Sequence, residues 1–142
     1  AINFPRAYLE ENSYDFSFSG LKSSVLNYLN SCKMKGQEVV VADVAASFQQ
    51  AVVEVLAHKT LQAALEKKVD RVYLAGGVAA NSALRDEMKK GADKQGLHLG
   101  YPAPILCTDN AAMIATAGYY QYKKGIIAEL NLNAIPNLPL TK

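Results

Sequence analysis

Residues 71–81 read RVYLAGGVAAN and carry the pattern around which the rest of the chain is arranged. The apolar run 72–75 has strand character, and Gly76 and Gly77 break it. A helix is predicted from Asn81 to about Gln95. A strand that turns through glycines into a helix is typical of α/β folds, in which helices pack on a sheet.

The flanking sequence extends this alternation of helices and strands. The long helix is predicted from an apolar stripe with a period of 3.6 residues, made of Val41, Val44, Ala45, Phe48, Val52, Val55 and Leu56. The remaining predicted elements are an extended lead-in (1–16), a helix opened by 17–20, a polar break (32–37), the long helix (about 38–68), a second strand (98–101), a last helix (108 to about 124) and an irregular tail (128–142).

Composition indicates one globular domain with a full core. The chain has 142 residues, of which 50% are hydrophobic and 20% charged. Its net charge of +2 is too small to indicate electrostatic binding of nucleic acid. No apolar run approaches the roughly 20 residues of a membrane helix. Cys32 and Cys107 lie far apart and form no C-x-x-C motif, which excludes a disulfide framework and favours the reducing cytoplasm.

Two features suggest that sequence is missing. The chain begins with Ala1 instead of Met, and only two short strands are predicted. A two-stranded sheet is marginally stable alone. The chain is therefore either a processed protein or a piece of a longer one, and the scarcity of strands favours missing sequence.

The glycine pair is the first candidate for a binding site. Gly76 and Gly77 leave no side chain in the way of a phosphate or a flat ligand, and the following helix offers N–H groups and a partial positive charge. Asn81 is placed to bond a ribose hydroxyl or a base edge. The alternative is an ordinary strand-to-helix turn in which Asn81 is only the N-cap.

Asp109 is the second candidate, at the predicted start of the last helix. A carboxylate there is an N-cap, a metal ligand or a general base. One carboxylate does not make a catalytic metal site, which needs about three protein ligands. His58 and His98 have no spacing that pairs them with Asp109.

The third candidate is the stretch 17–22, where a Ser-Gly turn with Lys22 nearby resembles an anion cradle. An ordinary capped helix start is the alternative. Ser17 or Ser19 as a hydrolase nucleophile is disfavoured, because neither has a histidine in a recognisable partner context.

Taken together, four stretches resemble the TsaD family in order along the chain. They read DFSFSGLK (15–22), ADVAASFQ (42–49), AGGVAAN (75–81) and LCTDNAAM (106–113). That family is the bacterial transferase of tRNA threonylcarbamoyladenosine synthesis, long labelled O-sialoglycoprotein endopeptidase.

The resemblance implies an α/β fold: an incomplete lobe of the actin/Hsp70/sugar-kinase-like (ribonuclease H-like) kind, helix-rich with a few short strands. Residues 1–142 would form most of the C-terminal lobe of a two-lobed chain. The implied reaction transfers the threonylcarbamoyl group from threonylcarbamoyl-adenylate to the adenosine 3′ of the anticodon in tRNA. Asn81, with Gly76 and Gly77, would bind the adenylate. Asp109 would be one ligand of a divalent ion, iron-type or alternatively zinc.

The chain departs from the family pattern in lacking its H-x-x-x-H motif and its Gly-rich phosphate loop. We therefore expect this chain alone to hold no catalytic metal, to be inactive, and to self-associate through exposed strand and apolar surface. The implied partners are tRNA and TsaB- and TsaE-like proteins, with no membrane. Two alternatives stay open, a metal-dependent endopeptidase and a non-catalytic nucleotide-binding or assembly module.

Overall fold

A computed structural model of the chain describes residues 2–6 and 13–137. Parts of the predicted lead-in (1 and 7–12) and of the predicted tail (138–142) lie outside the described residues. The chain divides into two compact units, Ala1–Thr108 and Asp109–Lys142.

In its described part, the first unit contains three α-helices and two short strands. They are α1 (Ser19–Met34), α2 (Val41–Glu66), β1 (Arg71–Tyr73), α3 (Ser82–Gln95) and β2 (His98–Gly100). A 3₁₀ turn, Gly77–Ala80, joins β1 to α3, and a second one, Pro104–Leu106, follows β2. This order confirms the prediction of a helix-rich α/β fold with short strands.

The two strands form a parallel pair, in which Arg71 lies opposite His98 and Tyr73 opposite Gly100. Parallel strands need a crossover connection, and here α3 supplies it. Gly96 ends α3 with φ at 70°, a left-handed conformation that glycine adopts without steric penalty. Because both strands run the same way, the segments that follow β1 and β2 leave the same edge of the sheet. The carboxyl edge is where open α/β sheets bind ligands.

Helix α2 lies in the middle of the first unit and is buried on two sides. On one side it packs against α3 and β1 in a core formed by Val53, Ala57, Leu61, Ala64, Val72, Leu84, Met88 and Ala92. On the other side Ala51 packs with Phe4 and Leu21. Two buried sides explain why every second residue from Ala51 to Leu61 is buried.

The prediction of one continuous inward stripe on α2 is therefore wrong at the start of the helix. Val41 is 75% exposed, and Phe48 is also exposed, whereas Val55 is fully buried. The fully buried residues of α2 begin at Ser47, and before it only Val44 of the predicted stripe packs, half-buried, against the cluster of Phe4, Leu21 and Ala51.

The boundaries of α1 and α2 also differ from those predicted. Helix α1 continues to Met34, so Cys32 lies inside the helix and is buried, and the polar break starts later than expected. Gly36, with φ at 60°, turns the chain after α1. Helix α2 begins at Val41, three positions after the predicted Glu38.

The second unit contains one described helix, α4 (Ala111–Lys123). Gly125 follows it with φ at 71°, as the sequence predicts for a glycine that ends a helix. Residues 126–137 form neither helix nor strand. Within the described residues, no helix combines the length and apolar character needed to cross a bilayer.

Candidate functional site

The segment 76–81, called the glycine turn below, connects β1 to α3 at the carboxyl edge of the sheet. Gly76 has φ at 87° and ψ at 172°, a backbone conformation that is strained for residues with a side chain. The turn is closed by two backbone hydrogen bonds, from the Ala79 N–H to the Gly76 carbonyl and from the Asn81 N–H to the Val78 carbonyl, both 3.0 Å. Glycine is thus required at position 76 by the backbone itself.

Gly77 is different, because the fold does not require glycine there. Its φ is not positive, and an added Cβ atom would meet nothing within 4 Å. The predicted role of Gly77, which is to leave room for a ligand, is compatible with this open surface and stays a prediction.

Asn81 performs two structural tasks with different atoms of its amide. Its Oδ1 accepts a hydrogen bond from the Leu84 N–H at 3.0 Å, so the predicted N-cap is confirmed. Its Nδ2 donates to Oε1 of Gln49 on α2, also at 3.0 Å. An amide has two donor hydrogens and two acceptor lone pairs, so one of each is left for a ligand.

A hollow of about 400 Å³ lies beside Asn81, between α2 and the start of α3. Its lining consists of Ala45, Phe48, Gln49, Val52, Val53, Leu56, Val78, Asn81 and Leu84. Predominantly apolar walls with a few fixed polar groups are the usual makeup of a small-molecule site. None of these nine residues is ionisable. The hollow can therefore bind and orient a flat or apolar group, but it supplies no acid or base.

Asp109 lies in the second unit, whereas Gly76, Gly77 and Asn81 come together in the first. The N-cap of α4 is Asn110, whose Oδ1 accepts from the Met113 N–H at 2.9 Å. The interpretation of Asp109 as the N-cap is therefore wrong, because the neighbouring amide takes that position. The exposed Asp109 carboxylate lines an open concave surface with the first turns of α4.

A metal centre is not formed by the described residues alone. Across 2–6 and 13–137, no three His, Cys, Asp or Glu side chains lie together in a group that could hold an ion. The role of Asp109 as one metal ligand stays a prediction.

Similarity to known proteins identifies the family of the chain. The sequence profile of the TsaD family, described as tRNA N6-adenosine threonylcarbamoyltransferase, matches residues 1–116. The chain belongs to the TsaD family. The resemblance that the four motifs indicated is thereby confirmed.

Individual TsaD relatives are similar along the whole chain. Over 142 residues it is 59% identical to the tRNA N6-adenosine threonylcarbamoyltransferase of Clostridioides difficile strain 630. Over 140 residues it is 60% identical to the protein of that name from Desulfitobacterium hafniense and 61% identical to the one from Moorella thermoacetica. The match covers all of this chain in the first case and 99% in the others, but only 42% and 41% of the relatives' length.

The TsaD motif at 15–22 leads into α1 without a side-chain cap. The N-cap position is Phe18, and the Ser17 and Ser19 hydroxyls hydrogen-bond each other at 3.0 Å. The capped-helix alternative is therefore wrong for this segment. The anion cradle with Lys22 stays a prediction.

Two residues that contact the glycine turn were not singled out from sequence. Gln49 ends the TsaD motif at 42–49. The sequence signal that could have identified it is its position as a polar residue beside the apolar positions of α2. Arg85 lies among the alternating basic and acidic residues of 66–94, a pattern that predicts a solvated face of mixed charge. The structure differs at Arg85, because its guanidinium donates to the Ala79 carbonyl inside the glycine turn.

Proposed function

We propose that this chain is most of the C-terminal lobe of a two-lobed TsaD protein that modifies tRNA. The reaction moves the threonylcarbamoyl group of threonylcarbamoyl-adenylate to the N6 amine of the adenosine 3′ of the anticodon. One structural observation carries the proposal: the glycine turn and the Asn81 amide lie together at the carboxyl edge of the sheet, beside an apolar hollow. Membership of the TsaD family and the names of the relatives support the same reaction.

The proposed reaction is an acyl transfer. The adenosine amine attacks the carbonyl carbon of the threonylcarbamoyl group, and a new C–N bond forms. The C–O bond to the adenylate phosphate breaks, AMP leaves with the electron pair, and the amine proton passes to solvent. The glycine turn and Asn81 would hold the adenylate portion, which keeps the carbonyl in place for attack.

Asp109 is proposed as one ligand of a divalent ion, iron-type or alternatively zinc. Its carboxylate is exposed and is not used to cap α4, so an oxygen donor is available. Because no metal-binding group forms within the described residues, the other ligands would come from outside them. A bound ion would supply Lewis-acid polarisation of the carbonyl.

The partners proposed for the full-length protein are tRNA, threonylcarbamoyl-adenylate and TsaB- and TsaE-like proteins. Cytoplasmic location is proposed with them, and the free thiols of Cys32 and Cys107 fit a reducing compartment.

A transfer assay with the purified full-length protein and its TsaB- and TsaE-like partners tests the proposal. Threonylcarbamoyl-adenylate and unmodified tRNA are supplied, and the modified nucleoside is quantified by mass spectrometry. Asn81→Ser keeps a capping oxygen but removes the amide nitrogen, so it should raise the KM for the adenylate about tenfold. Asn30→Ser, at an exposed position of α1, is the matched control and should behave as wild type.

The same preparation separates the alternatives. Absence of transfer by the wild-type protein would refute the proposal. Cleavage of a sialoglycoprotein that a chelator abolishes would favour the endopeptidase. Binding of AMP without transfer or cleavage would favour the non-catalytic module.

A further inference from the structure

Arg85, in the first turn of α3, connects two segments that leave the carboxyl edge of the sheet. Its Nε donates to the Ala79 carbonyl in the glycine turn at 2.5 Å. One terminal nitrogen donates to the Pro102 carbonyl at 3.0 Å and to the Cys107 thiol at 3.2 Å, both in the loop 101–107 that follows β2. A single side chain thus binds both segments at once.

The Tyr101 ring packs against one face of the Arg85 guanidinium and fixes its orientation. The carbon at its centre lies 4.4 Å from the centroid of the Tyr101 ring, which is a cation–π contact. The planar fork of arginine can stack on a ring and donate in two directions within its plane. A lysine ammonium can also lie over a ring, but it has no planar fork that stacks on the ring and donates within its own plane, so the arrangement favours arginine.

The partner atoms are themselves held in place. Ala79 is only 3% exposed, and its N–H is bonded to Gly76. Cys107 is buried, with its sulfur 3.6 Å from the Ala103 carbonyl. A buried carbonyl that lost its donor would be left unsatisfied, and the turn would move to find another partner.

A displacement of Ala79 would also displace residues that line the hollow. Val78 and Asn81 flank the Ala79–Ala80 pair, and both line the hollow. The Asn81 N–H is bonded to the Val78 carbonyl, so the turn shifts as one piece.

We propose that Arg85 is a positioning residue, which holds the glycine turn against the loop 101–107 and thereby sets the affinity of the hollow for the adenylate. This inference rests on the proposed function, because the ligand it names is that of the transferase. Arg85 acts through Ala79 and touches no substrate.

The test uses the full-length protein with AMP as the probe. Arg85→Ala should weaken AMP binding, measured by calorimetry, about tenfold, because a charge-assisted hydrogen bond to the turn is lost. Arg85→Lys keeps the charge without the fork and should fall between wild type and Arg85→Ala. Lys89→Ala is the matched control, because Lys89 is exposed on the same helix and pairs with Asp93 within that helix.

Two further readouts separate positioning from general destabilisation. Amide hydrogen exchange should rise at residues 76–81 and 101–107 in Arg85→Ala, with the core residues of α2 unchanged. In the transfer assay, the KM for the adenylate should rise by more than kcat falls. If Arg85→Ala does not fold, Arg85→Lys and Cys107→Ala are measured in its place. Cys107→Ala should lose less AMP affinity, because the hydrogen bonds from Arg85 to the Ala79 and Pro102 carbonyls remain.

Wild-type affinity and wild-type exchange in the arginine variants would overturn the inference while leaving the proposed function intact. A uniform rise in exchange across the unit would also overturn it, since Arg85 would then act on general stability. A wild-type protein that neither binds AMP nor transfers the group would refute the proposed function, and this inference with it.

Discussion

The Asn81 Nδ2 atom donates a hydrogen bond to Oε1 of Gln49 at 3.0 Å, across 32 positions of the chain. The oxygen of the same amide caps α3 through the Leu84 N–H. One side chain therefore ends a helix with one atom and ties that helix to α2 with the other. Both tasks fix the orientation of the amide that faces the hollow.

Substitutions at Asn81 should separate capping from binding. Asn81→Ala removes the cap and should lower the free energy of unfolding by about 1 kcal/mol, whereas Asn81→Ser retains a capping hydroxyl and should cost only a few tenths. Both lose the bond to Gln49, so both should weaken AMP binding in the full-length protein. Urea unfolding and calorimetry measure the two effects. Undiminished AMP affinity in Asn81→Ser would show that the amide nitrogen has no part in binding.

Gly91 allows α3 to approach α2 closely. A Cβ atom added at Gly91 would lie 2.2 Å from Cδ1 of the buried Leu61. Gly91→Ala gains about 1 kcal/mol of helix propensity, but the overpacking penalty of about 1 to 3 kcal/mol should exceed it. We expect net destabilisation in urea unfolding.

Gly20→Ala is the matched control for Gly91→Ala. It lies in the first turn of α1, where an added Cβ meets nothing within 4 Å. This variant should be stabilised by up to about 1 kcal/mol. An equal gain in both variants would mean that α2 and α3 do not pack as described.

Local sequence signals predicted several features of both units. The glycines at 76–77 correctly marked a break after a strand, although β1 already ends at Tyr73 and not at the predicted position 75. The alternative interpretation of Asn81 as a cap was confirmed, and Gly125 correctly marked the end of α4. These features depend on backbone conformation and on neighbours within a few positions, which a single sequence displays.

Features that depend on distant contacts were not predictable in this way. The apolar stripe on α2 failed at Val41 because burial there depends on where other elements pack, and α2 has core on two sides. The Asn81–Gln49 bond and the inward turn of Arg85 likewise join residues from separate elements. At the start of α4, the sequence interpretation offered Asp109 as the cap, whereas the neighbouring Asn110 takes that position.

Lys59 should be needed to hold the segment before α1. It is 5% exposed, and its Nζ donates to the carbonyls of Ser13 at 2.9 Å and Asp15 at 2.6 Å. Lys59→Met should change the free energy of unfolding by less than about 1 kcal/mol, because the lost hydrogen bonds are offset by no longer burying a cation. Hydrogen exchange at residues 13–18 should nevertheless rise.

Lys90→Met, at an exposed position of α3, is the control for Lys59→Met and should leave exchange at residues 13–18 unaltered. If Lys59→Met also leaves that exchange at the wild-type rate, the buried ammonium is not what holds the segment.

The Arg6–Glu54 pair should contribute a small acid-dependent term to stability. The hydrogen bond from Arg6 at 2.6 Å, aided by one from Gln50, lowers the pKa of Glu54 below its ordinary value of 4.5. A carboxyl with a lowered pKa stabilises the fold above its unfolded-state pKa, and that contribution is lost as pH falls through the folded-state value. The two side chains are 24% and 33% exposed, so the term should stay below about 1 kcal/mol.

Urea unfolding between about pH 6 and pH 3 measures this term as the difference between wild type and Glu54→Gln. The difference should shrink toward low pH. The difference between wild type and Arg6→Gln should shrink toward low pH in the same way. A difference that is constant across this range would mean that the pair does not form in solution.

We expect the full-length protein containing this chain to be the threonylcarbamoyl transferase for tRNA, with Asp109 as a ligand of its metal. Nucleoside mass spectrometry of tRNA from cells depleted of that protein tests both expectations. We predict that threonylcarbamoyladenosine disappears on depletion and returns with the wild-type gene and with the exposed control Asp70→Ala, but not with Asp109→Ala. Modification at the normal level in depleted cells would contradict the transferase assignment, and full restoration by Asp109→Ala would contradict the role of Asp109.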